Sequence, residues 1–233
     1  MLQTLLEAYG EVLDAAVTKV ADNLRIKVSS RVKNTGTLIE KLQRSNAAQL
    51  NSIQDLAGMR IVIEGRDRRA QDAVVAQLVN LFANDAHPTR QVDRRADPRS
   101  GYRAVHVIVN IDDVPIEIQV RTELQHEWAE FFEKLADRLG RGIRYGEQAD
   151  VSRLSGLPDN VNIQARQKLV DDIVYVAQLV ADLISAIEEE SARGAAGQEA
   201  LERSLGKARE LMPLLLKTLD VLTSIRVSDT VAE

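Results

Sequence analysis

The sequence predicts an α/β protein, with a mixed core of about 145 residues and helices appended at both ends. Three observations carry that expectation. Apolar residues recur at helical spacing near both termini, apolar runs rich in β-branched residues occupy the middle, and a turn signal at Asp112-Asp113 sits between two such runs.

The elements follow in order. Leu5, Leu6, Tyr9, Val12, Leu13, Ala16 and Val20 mark a first helix. A second is expected from Leu38 to Arg44, opened by Thr37 and Glu40 as a capping box. The run Asn51–Leu56 reads as a short helix or turn leading into a buried strand, Met59–Glu64. Helical spacing returns over 67–83, and 84–101, with two prolines and a glycine, reads as a polar loop. Ala104–Ile111 and Pro115–Thr122 form a hairpin. On its second strand Glu117, Gln119 and Arg121 share one face, and Ile116, Ile118 and Val120 the other. A helix over Glu123–Leu139 stops at Gly140. Leu169, Ile173, Val176, Val180, Ile184 and Ile187 mark a long amphipathic helix, and a last one, Leu201–Leu222, is expected to kink or break at Pro213.

Composition narrows the function classes. With no cysteine there is neither a disulfide framework nor a thiolate metal site. No apolar run reaches the roughly 18–20 residues of a membrane span, and the acidic N-terminal stretch lacks the basic flank of a signal peptide, so the expected compartment is cytoplasmic. A net charge of −5 argues against wholesale nucleic-acid binding. Basic residues nonetheless cluster twice: Arg25, Lys27, Arg31, Lys33, Lys41 and Arg44, then Arg90, Arg94, Arg95, Arg99 and Arg103. Such clusters are either solvated surface or a grip on an anionic ligand.

The chemistry-bearing residues gather around the hairpin. Glu117, Gln119 and Arg121 make an acid–amide–base row, and Asp55 and Arg60 flank the preceding strand. Carboxylates with nearby Arg and Lys suit a Mg²⁺–nucleotide site, because the hard cation takes carboxylate oxygens and phosphates take guanidinium and ammonium groups. The same spacing serves a cross-strand salt-bridge ladder, and the residues alone leave both readings open. Tyr102, following Gly101 at a close-approach position, offers an exposed ring for a base or a cap for the sheet edge. His106 either bonds a nucleotide or sits satisfied in the core. There is no P-loop, dinucleotide fingerprint, zinc spacing or nucleophile elbow. Metal-assisted phosphoryl-type transfer is the enzymatic class that remains.

Five ordered blocks resemble the synthetase domain of the RelA/SpoT family: Arg31-Val-Lys33 with Thr37 and Lys41; Ile53–Ile61 containing Asp55 and Arg60; Gly101–His106; Glu117–Thr122; and Leu124–Ala129 around Trp128. The resemblance implies a nucleotidyltransferase-like mixed β-sheet flanked by helices, with residues 1–150 as the synthetase domain and 151–233 as a helical extension. It implies Asp55 and Glu117 as Mg²⁺ ligands and catalytic acids, with Arg31, Lys33, Lys41 and Arg60 on ATP. It also implies Tyr102, His106, Gln119 and Arg121 on the acceptor. The reaction implied is transfer of pyrophosphate from ATP to the 3′-hydroxyl of GDP or GTP. Three histidines leave no counterpart for the family's hydrolase motif, so a small single-domain synthetase is expected.

The chain departs from the family pattern at Phe132-Glu133-Lys134, in the loop before Gly101, and at the serine after the Arg-x-Lys pair. Alternatives therefore stay open: a toxin-type member that modifies tRNA 3′ ends or makes adenosine alarmones, and a degenerate nucleotide-binding homologue. The tRNA alternative requires a basic surface continuing from Arg94, Arg95 and Arg99. The C-terminal apolar stripes either pack on each other and on the core or offer a homo-oligomer or antitoxin-like partner interface.

Overall fold

The computed structural model describes residues 2–33, 35–36, 56–83, 87–96, 98, 100–153, 162–193 and 198–224. It divides into two compact units, Met1–Ala96 with Ala104–Glu123, and Asp97–Arg103 with Leu124–Glu233.

The first unit is built from α1 (Leu2–Leu24), β1 (Val28–Val32), β2 (Ala57–Ile63), α2 (Arg68–Leu81), β3 (Arg90–Asp93), β4 (Val105–Ile111) and β5 (Val114–Thr122). The strands form one mixed sheet in the order β1-β2-β5-β4-β3. β2 and β5 run parallel, and the other neighbours are antiparallel. The expected hairpin is β4–β5. Its two loop residues, Asp112 and Asp113, have φ of +50° and +62°, which matches the twist a two-residue hairpin needs and which aspartate tolerates. Period-2 alternation sends Met59, Ile61, Val107, Ile116, Ile118 and Val120 to one face. There they pack with Leu13, Ala16 and Val20 of α1, with Val75 and Leu78 of α2, and with Phe82 that caps α2. Both helices therefore cover the same side of the sheet.

Residues 84–101 are not wholly loop, since β3 forms within them, and β1 forms inside the first basic cluster. The expected helix over Leu38–Arg44 lies outside the described residues.

Arg95 clamps the turn after β3. Its Nε and Nη2 bond both oxygens of Asp93, Nη2 lies 2.7 Å from Asp72 Oδ1, and Nη1 donates to Gln71 Oε1 at 3.1 Å. Gln71 is fully buried and donates to the Val120 carbonyl at 2.8 Å, so the clamp reaches α2 and β5. Burial pushes the Asp93 carboxyl up, but the hydrogen bonds and charge of Arg95 outweigh it and hold the group below its ordinary 3.8. A carboxyl so depressed contributes stability that is present above its unfolded pKa and lost as pH falls through the lower folded value. Arg95→Met is expected to cost about 1–3 kcal/mol at neutral pH. It should also flatten the acid limb of stability below about pH 3.8; chemical denaturation at a series of pH values measures both.

The second unit contains α3 (Glu123–Leu139) from Leu124 onward, 3-10 turns at Arg141–Tyr145 and Val151–Arg153, α4 (Ile163–Arg193) and α5 (Gln198–Ser224). α3 has the expected bounds. Its core joins Trp128, Phe132, Leu135 and Leu139 of α3 to Ile173, Ala177, Ile184 and Ile187 of α4 and to Leu205, Ala208 and Met212 of α5. The C-terminal stripes thus pack on each other and on α3. No helix among the described residues is long and apolar enough to cross a membrane.

The break expected at Pro213 does not occur, because α5 runs through it. The ring removes one donor and crowds the preceding turn, but Pro213 is exposed while Ala208 and Met212 before it are buried and Leu215 and Leu216 after it pack on the same core. Tertiary packing keeps both halves in one continuous helix. Pro213→Ala is therefore expected to raise the stability of this unit by about 1–3 kcal/mol in a urea titration.

Candidate active site

The sheet face opposite α1 and α2 carries the polar residues, and the register states which of them meet. One row runs Ser29, Arg60, Gln119, His106 and Val92 across β1, β2, β5, β4 and β3. The adjacent row runs Arg31, Gly58, Glu117, Ile108 and Arg90. Arg121 continues the same face of β5, opposite Val62.

Glu117 is the centre of this arrangement. Its Oε1 lies 2.8 Å from His106 Nδ1, and its Oε2 accepts a hydrogen bond from Gln119 Nε2 at 2.8 Å. Gln119 Oε1 in turn accepts from Arg121 Nη2 at 2.7 Å. The side chains of Glu117 and His106 are 18% and 15% exposed, enough to meet a small ligand and too little for either to be a solvated surface charge. The residues whose spacing suits both a ladder and a metal–phosphate site are thus bonded to one another in a row. His106 is neither buried in the core nor isolated; it is a partner of Glu117.

Gly58 is a site position that sequence reasoning does not single out. A Cβ there would lie 3.1 Å from the Glu117 carbonyl oxygen, so glycine permits the close approach of β2 and β5 and keeps the face low beside Glu117. A glycine directly before the predicted strand was the available signal. Arg90, already named in the second basic cluster, is set by the register in the Glu117 row.

Arg31 and Arg60 lie on the same face as Glu117. Lys33 stands just beyond β1, where its backbone N–H donates to the Leu56 carbonyl at 2.8 Å. Asp55 and Lys41 lie outside the described residues. Tyr102 belongs to the second unit, where its ring is half-buried against the helical core rather than exposed.

The second basic cluster does not act as one patch. Arg95 is bound by Asp93, Asp72 and Gln71, as described. Arg103 is buried and donates to the carbonyls of Gly101 and Ala181 and to Asp182 of α4 at 2.9–3.1 Å. Arg99 lies outside the described residues. The continuous basic surface required for tRNA therefore loses Arg95 to an internal ion-pair network. Phe132, at the departure from the family pattern, stacks on Trp128 with ring centroids 4.7 Å apart and is a core residue of the helical unit.

No group of three or more His, Asp or Glu among the described residues is placed to cage a metal. Mg²⁺ needs no such cage, because it keeps waters and binds through one or two carboxylates and the substrate's phosphates. The partly exposed Glu117 carboxylate, on a sheet face with Arg31 and Arg60, fits that requirement.

Residues 30–136 match the model for the region found in RelA / SpoT proteins. Over these residues the chain is similar to that region. That region spans the polar sheet face apart from Ser29, and most of α3. Uncharacterized proteins of Mycobacterium bovis and Mycobacterium tuberculosis are 43% identical to the chain over 126 residues, which is 53% of this chain and 44% of each relative. The match thus spans less than half the length of these relatives. Among solved structures, small alarmone synthetase 1 from Bacillus subtilis aligns with a TM-score of 0.57 at 22% identity, covering 82% of this chain and 94% of that one. The same synthetase bound to its product pppGpp aligns at 0.55 and 20% identity, over 82% and 95% of the two chains. A GTP pyrophosphokinase family protein from Streptococcus pneumoniae aligns at 0.54 and 20% identity, over 86% and 96%. The chain therefore shares the fold of these proteins, a mixed five-stranded sheet flanked by helices.

Proposed function

We propose that this chain is a pyrophosphokinase that transfers the terminal pyrophosphate of ATP to the ribose 3′-hydroxyl of GDP or GTP. The observation that carries the reading is the Glu117 carboxylate, held between His106 and Gln119 on a sheet face shared with Arg31 and Arg60, inside a RelA/SpoT region. In this reaction the acceptor 3′-oxygen attacks the β-phosphorus of ATP. The O3′–Pβ bond forms, the Pβ–O bond to AMP breaks, and AMP leaves with the electron pair. Glu117 takes the hydroxyl proton, and His106 and Gln119 keep its carboxylate aimed at the acceptor ribose. Arg31, Lys33, Lys41 and Arg60 bind the ATP phosphates and offset the charge that develops on them. Asp55 and Glu117 would hold Mg²⁺, which when bound neutralises the donor phosphates. His106 stands beside the acceptor ribose. A guanosine acceptor is supported by the product named for the Bacillus synthetase of the same fold.

The test is incubation of purified protein with Mg²⁺ and γ-labelled ATP, offering GDP, GTP, ATP or tRNA. Label in the guanosine nucleotide, with release of AMP, supports the proposal. Label only in tRNA or in an adenosine nucleotide replaces the acceptor, and no label in any of them removes the reaction.

A further inference from the structure

We propose that Arg121 is a positioning residue that acts on Glu117 through the Gln119 amide, rather than a residue that touches substrate. This rests on the assignment of Glu117 as the reacting carboxylate. Positions 117, 119 and 121 are successive residues of one strand face, roughly 6–7 Å apart along β5, a span that Gln and Arg side chains bridge. The direction of the bonds is fixed by chemistry. A carboxylate has no proton to give, and a guanidinium has no lone pair to offer. An amide between them can satisfy both only with its oxygen toward Arg121 and its nitrogen toward Glu117, which is the arrangement observed at 2.7 Å and 2.8 Å.

Burial separates the roles within this row. Arg121 is 2% exposed, whereas Glu117 and His106 remain partly accessible. The cation that starts the row is therefore withdrawn from the surface where a nucleotide would lie. Its consequence at that surface is a Gln119 amide held in one of its two orientations. That amide fixes Glu117 Oε2, while His106 fixes Oε1 from the neighbouring strand. A carboxylate held at both oxygens keeps one orientation, and such positioning is where misplacement by about 1 Å costs up to ~100-fold in rate.

Turnover of Gln119→Met, Arg121→Met, Arg121→Lys and the double Arg121→Met/Gln119→Met variant tests this, together with hydrogen exchange of the Gln119 side-chain amide followed by NMR. Both single Met variants are expected to lose about 10- to 100-fold in kcat, with KM for donor and acceptor within about twofold of wild type. The double variant should be no worse than Gln119→Met by more than about threefold, because the second change removes nothing more. Arg121→Lys, which can still donate to the amide oxygen, should stay within about fivefold of wild type. Exchange of the Gln119 amide should be slow in wild type and at least about tenfold faster in Arg121→Met. Losses that multiply in the double variant, an acceptor KM that rises at unchanged kcat, or amide exchange indifferent to Arg121 would each overturn the relay. If Arg121→Met does not fold, Arg121→Lys and Gln119→Met decide: the relay requires the first to be near wild type and the second to lose kcat alone. If wild type transfers no label, the assigned reaction fails, and amide exchange by itself still decides the relay.

Discussion

Glu117→Gln is expected to reduce pyrophosphate transfer by about 1,000-fold or more while leaving the protein folded. The substitution keeps the size of the side chain and removes its charge. In the structure two groups approach that carboxylate at 2.8 Å, the ring of His106 and the amide of Gln119. A glutamine at 117 can keep its oxygen for Gln119 and turn its NH₂ toward His106, whose imidazole can shift tautomer so that Nδ1 accepts. Both hydrogen bonds then survive, and the stability change should stay within about 1 kcal/mol. What cannot survive is proton acceptance from the 3′-hydroxyl and attraction for the metal, both of which need the negative charge. Measuring transfer and urea stability on the same preparation separates the two. Retention of more than a tenth of wild-type transfer would remove Glu117 from the reaction. Asp55→Asn is expected to fall as far, and the Glu117→Gln/Asp55→Asn pair little further, because residues that act as a unit are not additive.

Much of this site was legible before the structure, and the reason lies in local pattern. The face shared by Glu117, Gln119 and Arg121 follows from period-2 alternation alone, and Ile116, Ile118 and Val120 on the other face are fully buried as that alternation requires. The partnership of Glu117 with His106 was present in the sequence but indirectly. With Asp112 and Asp113 as the two loop residues, counting back along both strands brings His106 opposite Gln119 and hence diagonal to Glu117, within reach of a long side chain. β1 and β3 were not legible. They are the two edges of the sheet, five and four residues long and mostly exposed, and edge strands carry little of the apolar signal that marks central ones. The fates of Arg95 and Arg103 were equally hidden. Charge along the chain says nothing of partners such as Gln71 or Asp182, which the fold delivers from distant helices.

Gly101 lies in a motif that resembles the family's acceptor-binding segment, yet its largest effect should be on stability. Gly101→Ala is expected to destabilise the helical unit by about 3–5 kcal/mol. Two costs combine. The backbone φ is +84°, a region where a side chain is strained by about 1–3 kcal/mol. A Cβ at this position would also stand 2.7 Å from the Ala181 Cβ and 2.9 Å from Trp128 Cζ2. Neither neighbour can yield cheaply. Ala181 sits on α4, and Trp128 is locked by its hydrogen bond to the Ala177 carbonyl at 3.0 Å and by its stack on Phe132, so overpacking adds a further 1–3 kcal/mol or so. A second substitution distinguishes the two costs. Ala181→Gly removes the nearer collision, and it should recover about 1 kcal/mol in the Gly101→Ala background while costing about 1 kcal/mol alone for glycine inside a helix. The cycle should therefore show a coupling of about 2 kcal/mol, with the cost left over reporting backbone strain. Trp128 is the only tryptophan and is 2% exposed, so its emission in a urea titration follows the unit in which Gly101 sits. A loss below about 1 kcal/mol would mean that the segment around Gly101 moves aside at little cost, and the close packing against α3 and α4 would then not be what makes glycine necessary there.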